Sequence, residues 1–264
     1  MKYSGNIILA AHRGDKKCFP ENTIPAFESA IRFGADMIET DIHMTRDGKL
    51  VIIHDRNTRR TTNYNGYTNE MNFEEIKKLD AGSWFSDEFA NVQVPSVKEL
   101  IELIKDTDML VNWELKDYPC EVGEEFAFRS ADKLIELIEE NGLTDRSMIN
   151  SFSDCVLEHV YLKYGNRFSI HGQGIHNCQN TIDKASVSQT ELYDWCCLYP
   201  NIPNARPMDF PENFEYCIAN GILPCVCVSD TLESYDKYIK LGCKMFTSND
   251  IYEGDKILRM LNVR

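Results

Sequence analysis

The chain has 264 residues, 43% hydrophobic and 27% charged: ordinary globular composition, enough for one large domain or two small ones, and a natural length for an α/β barrel. Its net charge of −14 argues against nucleic acid as a partner and against a simple electrostatic grip on an anionic membrane. An anionic small molecule stays open only if local cations or a metal reverse the field where it binds.

Residues Met1 to Asn6 leave no room for a signal peptide before a strand-like run starts at Ile7, and no apolar segment approaches membrane-spanning length. A cytoplasmic protein with no membrane span is therefore expected. Ten cysteines are many for that compartment. Cys196-Cys197 and Cys225-Val226-Cys227 lie in apolar runs without the C-x-x-C spacing of zinc sites, so reduced core thiols are expected.

In chain order, Ile7 to Ala11 reads as a buried strand running into His12-Arg13-Gly14. Glu21-Asn22-Thr23 with Pro25 signals a helix start, with Ala26, Phe27, Ala30 and Ile31 as its apolar face and an end near Gly34. A second strand carries Glu39 and Asp41, which share a face by the i, i+2 rule. Arg46-Asp47-Gly48-Lys49 reads as a turn. The apolar run Val51 to Ile53 follows too closely for a parallel crossover, so it must return antiparallel and bring His54 back toward Glu39 and Asp41.

Residues from about 56 to 95 are polar and turn-rich, with a short helix at Phe73 to Leu79, and read as a small insertion after the second strand within a single domain spanning 1–264. A helix follows from Val97 to Lys105, then a third strand from Met109 to Lys116 with Glu114 and Lys116 on one face. Phe126 to Glu140 is helical. Ser147 to Asn150 leads to a fourth strand at Ser151-Phe152, and Ser153-Asp154 caps a helix to Tyr164. Further strands are expected at Phe168 to His171, Tyr193 to Leu198, Leu223 to Val228 and Lys244 to Thr247. Helices are expected near Phe214 to Ala219, from a Ser229-Asp230 cap to Leu241, and from Glu253 to Leu261. Eight strands alternating with helices predict a (β/α)8 TIM barrel.

Functional residues of such barrels sit at the C-terminal strand ends, where this chain places its charged residues. Glu39, Asp41 and Glu114 offer oxygen ligands for one hard divalent ion, Mg2+ or Ca2+. Arg13 and Lys116 add fixed positive charge, a seat for phosphate. His12 and His54 can flank that phosphate as an acid-base pair. The remaining histidines (His43, His159, His171 and His176) are expected to bond locally or face solvent, with His171 singled out because it ends a strand. Arg59-Arg60 is expected to be a solvated loop pair.

His12-Arg13-Gly14, Pro20-Glu21-Asn22-Thr23, Glu39-Thr40-Asp41, Thr45-Arg46-Asp47-Gly48, His54-Asp55 and Glu114-Leu115-Lys116 together resemble glycerophosphodiester phosphodiesterases in order and spacing over residues 7 to 116. The resemblance implies a small-molecule glycerophosphodiester as substrate, cut to glycerol phosphate and an alcohol. It implies His12 and His54 as acid and base, Glu39, Asp41 and Glu114 as metal ligands, and Arg13 and Lys116 on phosphate. Glu21, Asn22 and Asp55 fall in the same motifs and are expected to support these groups. The second half departs from the family pattern: Val226-Cys227-Val228-Ser229 replaces its W-T-V-N and Thr247-Ser248 its T-D, positions on the glycerol and leaving-group side. Two other readings stand beside it: a related barrel of phospholipase D type acting on lysophospholipid or sphingomyelin, and a silent phosphodiester-binding module. Oligomeric state is not legible.

Overall fold

The structure is a computed structural model, and it describes residues 1, 4–175, 178–179, 181–200 and 207–264. Eight parallel strands close into a barrel: Ile8–His12, Met37–Met44, Leu110–Leu115, Ser147–Asn150, Ser169–Gly172, Trp195–Cys197, Leu223–Cys227 and Met245–Ser248. Closure is made by the first strand, which pairs with the second (His12 beside Glu39) and with the eighth (Ala11 beside Ser248). The second strand is buried along its whole length, as expected where a sheet is covered on both faces.

Helices Ile24–Arg32, Val97–Ile104, Glu124–Glu140, Asp154–Tyr164, Pro211–Ala219, Leu232–Lys240 and Ile251–Met260 pack outside. The first of these buries Ala26, Phe27 and Ala30, while Ile31 is only partly covered. Its approach to the barrel is close. A Cβ on Gly14 would lie 2.8 Å from the Ala26 backbone, and Gly14 has φ +80°, so only glycine fits there. Ser96 and Glu99 cap the second helix reciprocally: Glu99 N donates to Ser96 Oγ at 3.2 Å and Ser96 N to Glu99 Oε2 at 2.7 Å. Trp113 is fully buried and its indole N–H donates to Ser147 Oγ at 3.0 Å, so a core aromatic leaves no polar atom unpaired.

Leu50–Ile52 pairs antiparallel with the second strand, Ile42 beside Ile52, which is the return arm that strand counting required. Residues 56–95 hold short helical turns and the helix Phe73–Ile76. They gather a small apolar cluster on that arm, in which Val51 and Ile53 meet Ile76, Leu79, Ala81 and Val94.

Two local expectations are corrected. The fourth strand is Ser147–Asn150 itself, and Ser151-Phe152 lies beyond its end, where Ser151 Oγ caps the Leu115 carbonyl at 2.9 Å. The cap of Leu232–Lys240 is Thr231, whose side chain accepts from Ser234 N. Asp230 instead turns inward to bind Ser248 and Asn249, a long-range use that no local spacing reveals.

Candidate active site

The first strand delivers His12 and Arg13 to the barrel mouth. Arg13 sits in left-handed backbone (φ 59°), as does Asn22 (φ 57°). This conformation costs a non-glycine residue about 1–2 kcal/mol. Hydrogen bonds hold the turn in place: Arg13 N reaches Glu39 Oε2 at 3.1 Å, and Asn22 N reaches the Arg13 carbonyl at 2.9 Å. Asn22 then donates through Nδ2 to Asp41 Oδ2 at 2.7 Å and accepts from Thr40 at 3.0 Å.

Glu39, Asp41 and Glu114 come together, all buried, with one oxygen of each within 4.8 Å of the others. Register explains it, since Asp41 lies beside Glu114 on the neighbouring strand. Two cations face these three carboxylates: Lys116 Nζ is 2.5 Å from Glu114 and 3.3 Å from Asp41, and Arg13 Nε is 3.3 Å from Asp41. Burial, then the charges of Asp41 and Glu114, push the Glu39 carboxyl well above its usual range. Burial acts the same way on Asp41, but Lys116 and Arg13 overcome it and hold that carboxyl low. Burial would discharge Lys116, yet Glu114, Tyr118 and Asp41 keep it an ammonium.

Asp41 Oδ1 is buried with no hydrogen-bond partner. That oxygen faces the Lys116 ammonium at 3.3 Å without a hydrogen bond, and an all-oxygen set of three carboxylates against two cations fits a hard divalent ion.

His12 Nδ1 lies 2.8 Å from Asn249 Oδ1, which assigns the ring proton to Nδ1 and leaves Nε2 with its lone pair. Burial, with Arg13 and Lys16 nearby, drives the His12 pKa well below its ordinary 6.5, so the ring is neutral. His54, carried in on the return arm, shares Nδ1 with Asp55 Oδ1 at 2.5 Å. Asp55 is gripped by Arg60 (Nε to Oδ2, 2.6 Å), and Arg60 also reaches Glu21 at 2.8 Å. Glu21 completes the chain at Arg13, 3.0 Å away. Burial raises and Arg60 and Arg13 lower the Glu21 carboxyl, with the net shift downward. One run of bonded side chains, Arg13–Glu21–Arg60–Asp55–His54, thus links the two histidine-bearing elements.

His12, Arg13, Glu39, His54, Glu114 and Lys116 line one cavity of about 480 Å³. Its far wall comes from the second half of the chain: Phe152, His171, Cys197, Tyr199, Cys227 and Val228. Lys116 lies 5.4 Å from the Phe152 ring centre. Tyr199 lines this wall, whereas Trp195 is buried in its strand and Trp84 is 42% exposed on the 56–95 segment. Burial lowers the His171 pKa to about 3.

Several residues here were not expected. Asn249 and Asp230 hold His12, with Asn249 Nδ2 donating to Asp230 Oδ2 at 3.2 Å. Arg59 and Arg60 are both exposed, as expected of a loop pair, but Arg60 also pairs with Asp55 and Glu21, which loop spacing did not reveal. His43 neither bonds locally nor faces solvent. It is buried, its Nδ1 is 2.7 Å from Asp117, and its Nε2 is 3.3 Å from the His54 carbonyl, so it braces the arm. His171 is likewise buried. His159 is half-buried, 2.9 Å from Asp132 and stacked on Phe128. His176 lies outside the described residues. The nine described cysteines are free thiols.

The molecule is thus a (β/α)8 barrel with two histidines, two cations and an acidic cluster that could hold a metal ion gathered at its strand ends. Residues 12–168 match the model of the glycerophosphoryl diester phosphodiesterase family. A glycerophosphodiester phosphodiesterase of Caldanaerobacter subterraneus subsp. tengcongensis is 37% identical over 252 residues, 92% of this chain and 94% of that one. A phosphodiesterase of Oleispira antarctica, solved with the product sn-glycerol-3-phosphate, superposes with a TM-score of 0.83 at 22% identity over 97% of this chain and 98% of its own. A glycerophosphodiester phosphodiesterase of Thermotoga maritima gives 0.70 at 20% over 97% and 100%. The chain belongs to the glycerophosphoryl diester phosphodiesterase family. Among the described residues no helix is long and apolar enough to cross a membrane.

Proposed function

We propose that the chain hydrolyses glycerophosphodiesters to sn-glycerol 3-phosphate and an alcohol, with His12 and His54 as base and acid. One observation carries the reading: Glu39 and Glu114 line the same cavity as both histidines, Arg13 and Lys116, and buried Asp41 meets those two carboxylates within 4.8 Å.

Arg13 and Lys116 bind and orient the phosphate, their charge reversing locally the field of an acidic protein. Glu39, Asp41 and Glu114 would hold a hard divalent ion, Mg2+ or Ca2+, which would supply charge stabilisation for the phosphate. His12, neutral with Nε2 free, takes the proton of the attacking hydroxyl, whether water or the substrate's own glycerol hydroxyl. His54, held through Nδ1 by Asp55, gives a proton to the departing alcohol oxygen. Such positioned acid-base groups contribute about 10²–10⁴-fold each. Both histidines and all three carboxylates are in place, which supports an enzyme over a silent binding module.

The test is alcohol release from glycerophosphocholine, glycerophosphoethanolamine and lysophosphatidylcholine, with and without chelator. Release from the first two, lost with chelator and restored by Mg2+ or Ca2+, is expected. Release from the lysolipid alone, or activity indifferent to chelator, sinks the reading.

A further inference from the structure

Three neighbouring strands of the barrel bring soft donors together: His171, Cys197 and Cys225, all buried, with one ligand atom of each within 4.8 Å of the others. Cys225 Sγ is 3.1 Å from His171 Nε2. Register accounts for the meeting, since Cys225 pairs with Cys197 and His171 with Trp195, two residues before Cys197 on the same face. A third thiol, Cys227, shares a face with Cys225 and lies within hydrogen-bonding reach of Cys197.

A second observation comes from Asn112. It is buried, lines the same cavity, and places Nδ2 3.1 Å from His171 Nδ1. Its Oδ1 has no hydrogen-bond partner. With the side-chain amide turned over, Oδ1 accepts from His171 Nδ1–H, and Nε2 then presents its lone pair toward Cys225 and Cys197. That is the outer-shell arrangement of metal-bound histidines, in which the far ring nitrogen donates to an oxygen. His171 and Cys197 line the cavity, so a fourth coordination position is reachable from it.

We propose that His171, Cys197 and Cys225 form a second metal site, for a thiophilic ion of the Zn2+ class, with its open position toward the substrate cavity. Imidazole and two thiolates select a soft or borderline ion, whereas Glu39, Asp41 and Glu114 select a hard one, so the two sites sort different metals. Binding forms two metal–sulfur bonds and one metal–nitrogen bond, and the two thiol protons leave to solvent. No change of oxidation state is involved.

The test is titration of the reduced, metal-stripped full chain with Co2+ alone. Thiolate ligation gives a near-ultraviolet sulfur-to-cobalt charge-transfer band that a carboxylate site does not produce. We expect that band to saturate near one equivalent and to be bleached by Zn2+. It is lost in Cys197→Ser and Cys225→Ser and unchanged in Glu39→Gln. Asn112→Ala weakens the affinity by about 10–100-fold. Near-ultraviolet circular dichroism checks that each variant is folded. Absence of the band in folded wild type, or an undiminished band in folded Cys197→Ser and Cys225→Ser arising from exposed Cys18 or Cys120, overturns the proposal. Because the readout is spectroscopic, it stands or falls separately from hydrolysis of any diester.

Discussion

Asn249 Oδ1 lies 2.8 Å from His12 Nδ1 although 237 residues separate them, and Asp230 fixes the amide by accepting from both Asn249 N–H groups. The carboxylate thus decides which way the asparagine points, and the asparagine decides which nitrogen of His12 carries the proton. Asn249→Ala should lower kcat about 10–100-fold, part of what a positioned base contributes, with KM changed little. Its hydrogen bond also raises the His12 pKa, so the acid limb of the kcat/KM profile should move to lower pH in the variant. An unshifted limb would make Asn249 merely structural.

Arg60 holds Asp55 with Nε at 2.6 Å and Glu21 at 2.8 Å, and Asp55 in turn holds His54. Arg60→Ala should reduce kcat about tenfold by loosening the His54 ring, whereas exposed Arg59→Ala should match wild type. Equal effects in the two steady-state assays would remove Arg60 from the site.

Glu39 faces two other carboxylates in a buried pocket. Replacing it by Gln removes a ligand charge, so calorimetric affinity for Mg2+ or Ca2+ should fall about tenfold or more. Excess metal should then recover part of the lost activity. Unaltered metal affinity would move the ion elsewhere.

Acid stability should carry the mark of His171. Its folded pKa is about 3 against an ordinary 6.5. The unfolded chain therefore binds the extra proton between those values, and stability falls as pH drops from 6.5 toward 3. The contribution is fully present above pH 6.5. His171→Asn should flatten this dependence by up to about 1.4 kcal/mol per pH unit. Urea midpoints in chelator and reductant, taken across that window, measure it.

What could be read from the chain is what short spacings determine. Glu39 and Asp41 share a face because strands alternate, and the five-residue gap before Val51 forbids a crossover, so the antiparallel arm with Ile42 beside Ile52 follows. The partners of those residues are set by closure of the barrel. Asn249 reaches His12 only because the eighth strand returns beside the first. Arg60 finds Glu21 across 39 residues. His171 stands out in the sequence only as a strand-end histidine, and its neighbours Cys197 and Cys225 come from strands that closure of the barrel lays next to its own. The i, i+2 pair Cys225 and Cys227 was the one local sign, visible in strand spacing where a C-x-x-C search does not look.

The central claim is that His12 and His54 share the proton transfers over a phosphate seated on Arg13 and Lys116. It is tested most directly by kcat for sn-glycerol 3-phosphate release from glycerophosphoethanolamine in His12→Ala and His54→Ala, with Mg2+ or Ca2+ saturating and folding checked by circular dichroism. The account predicts a loss of about 10²–10⁴-fold in each variant with modest change in KM. A folded variant of either kind that turns over at the wild-type rate would contradict it.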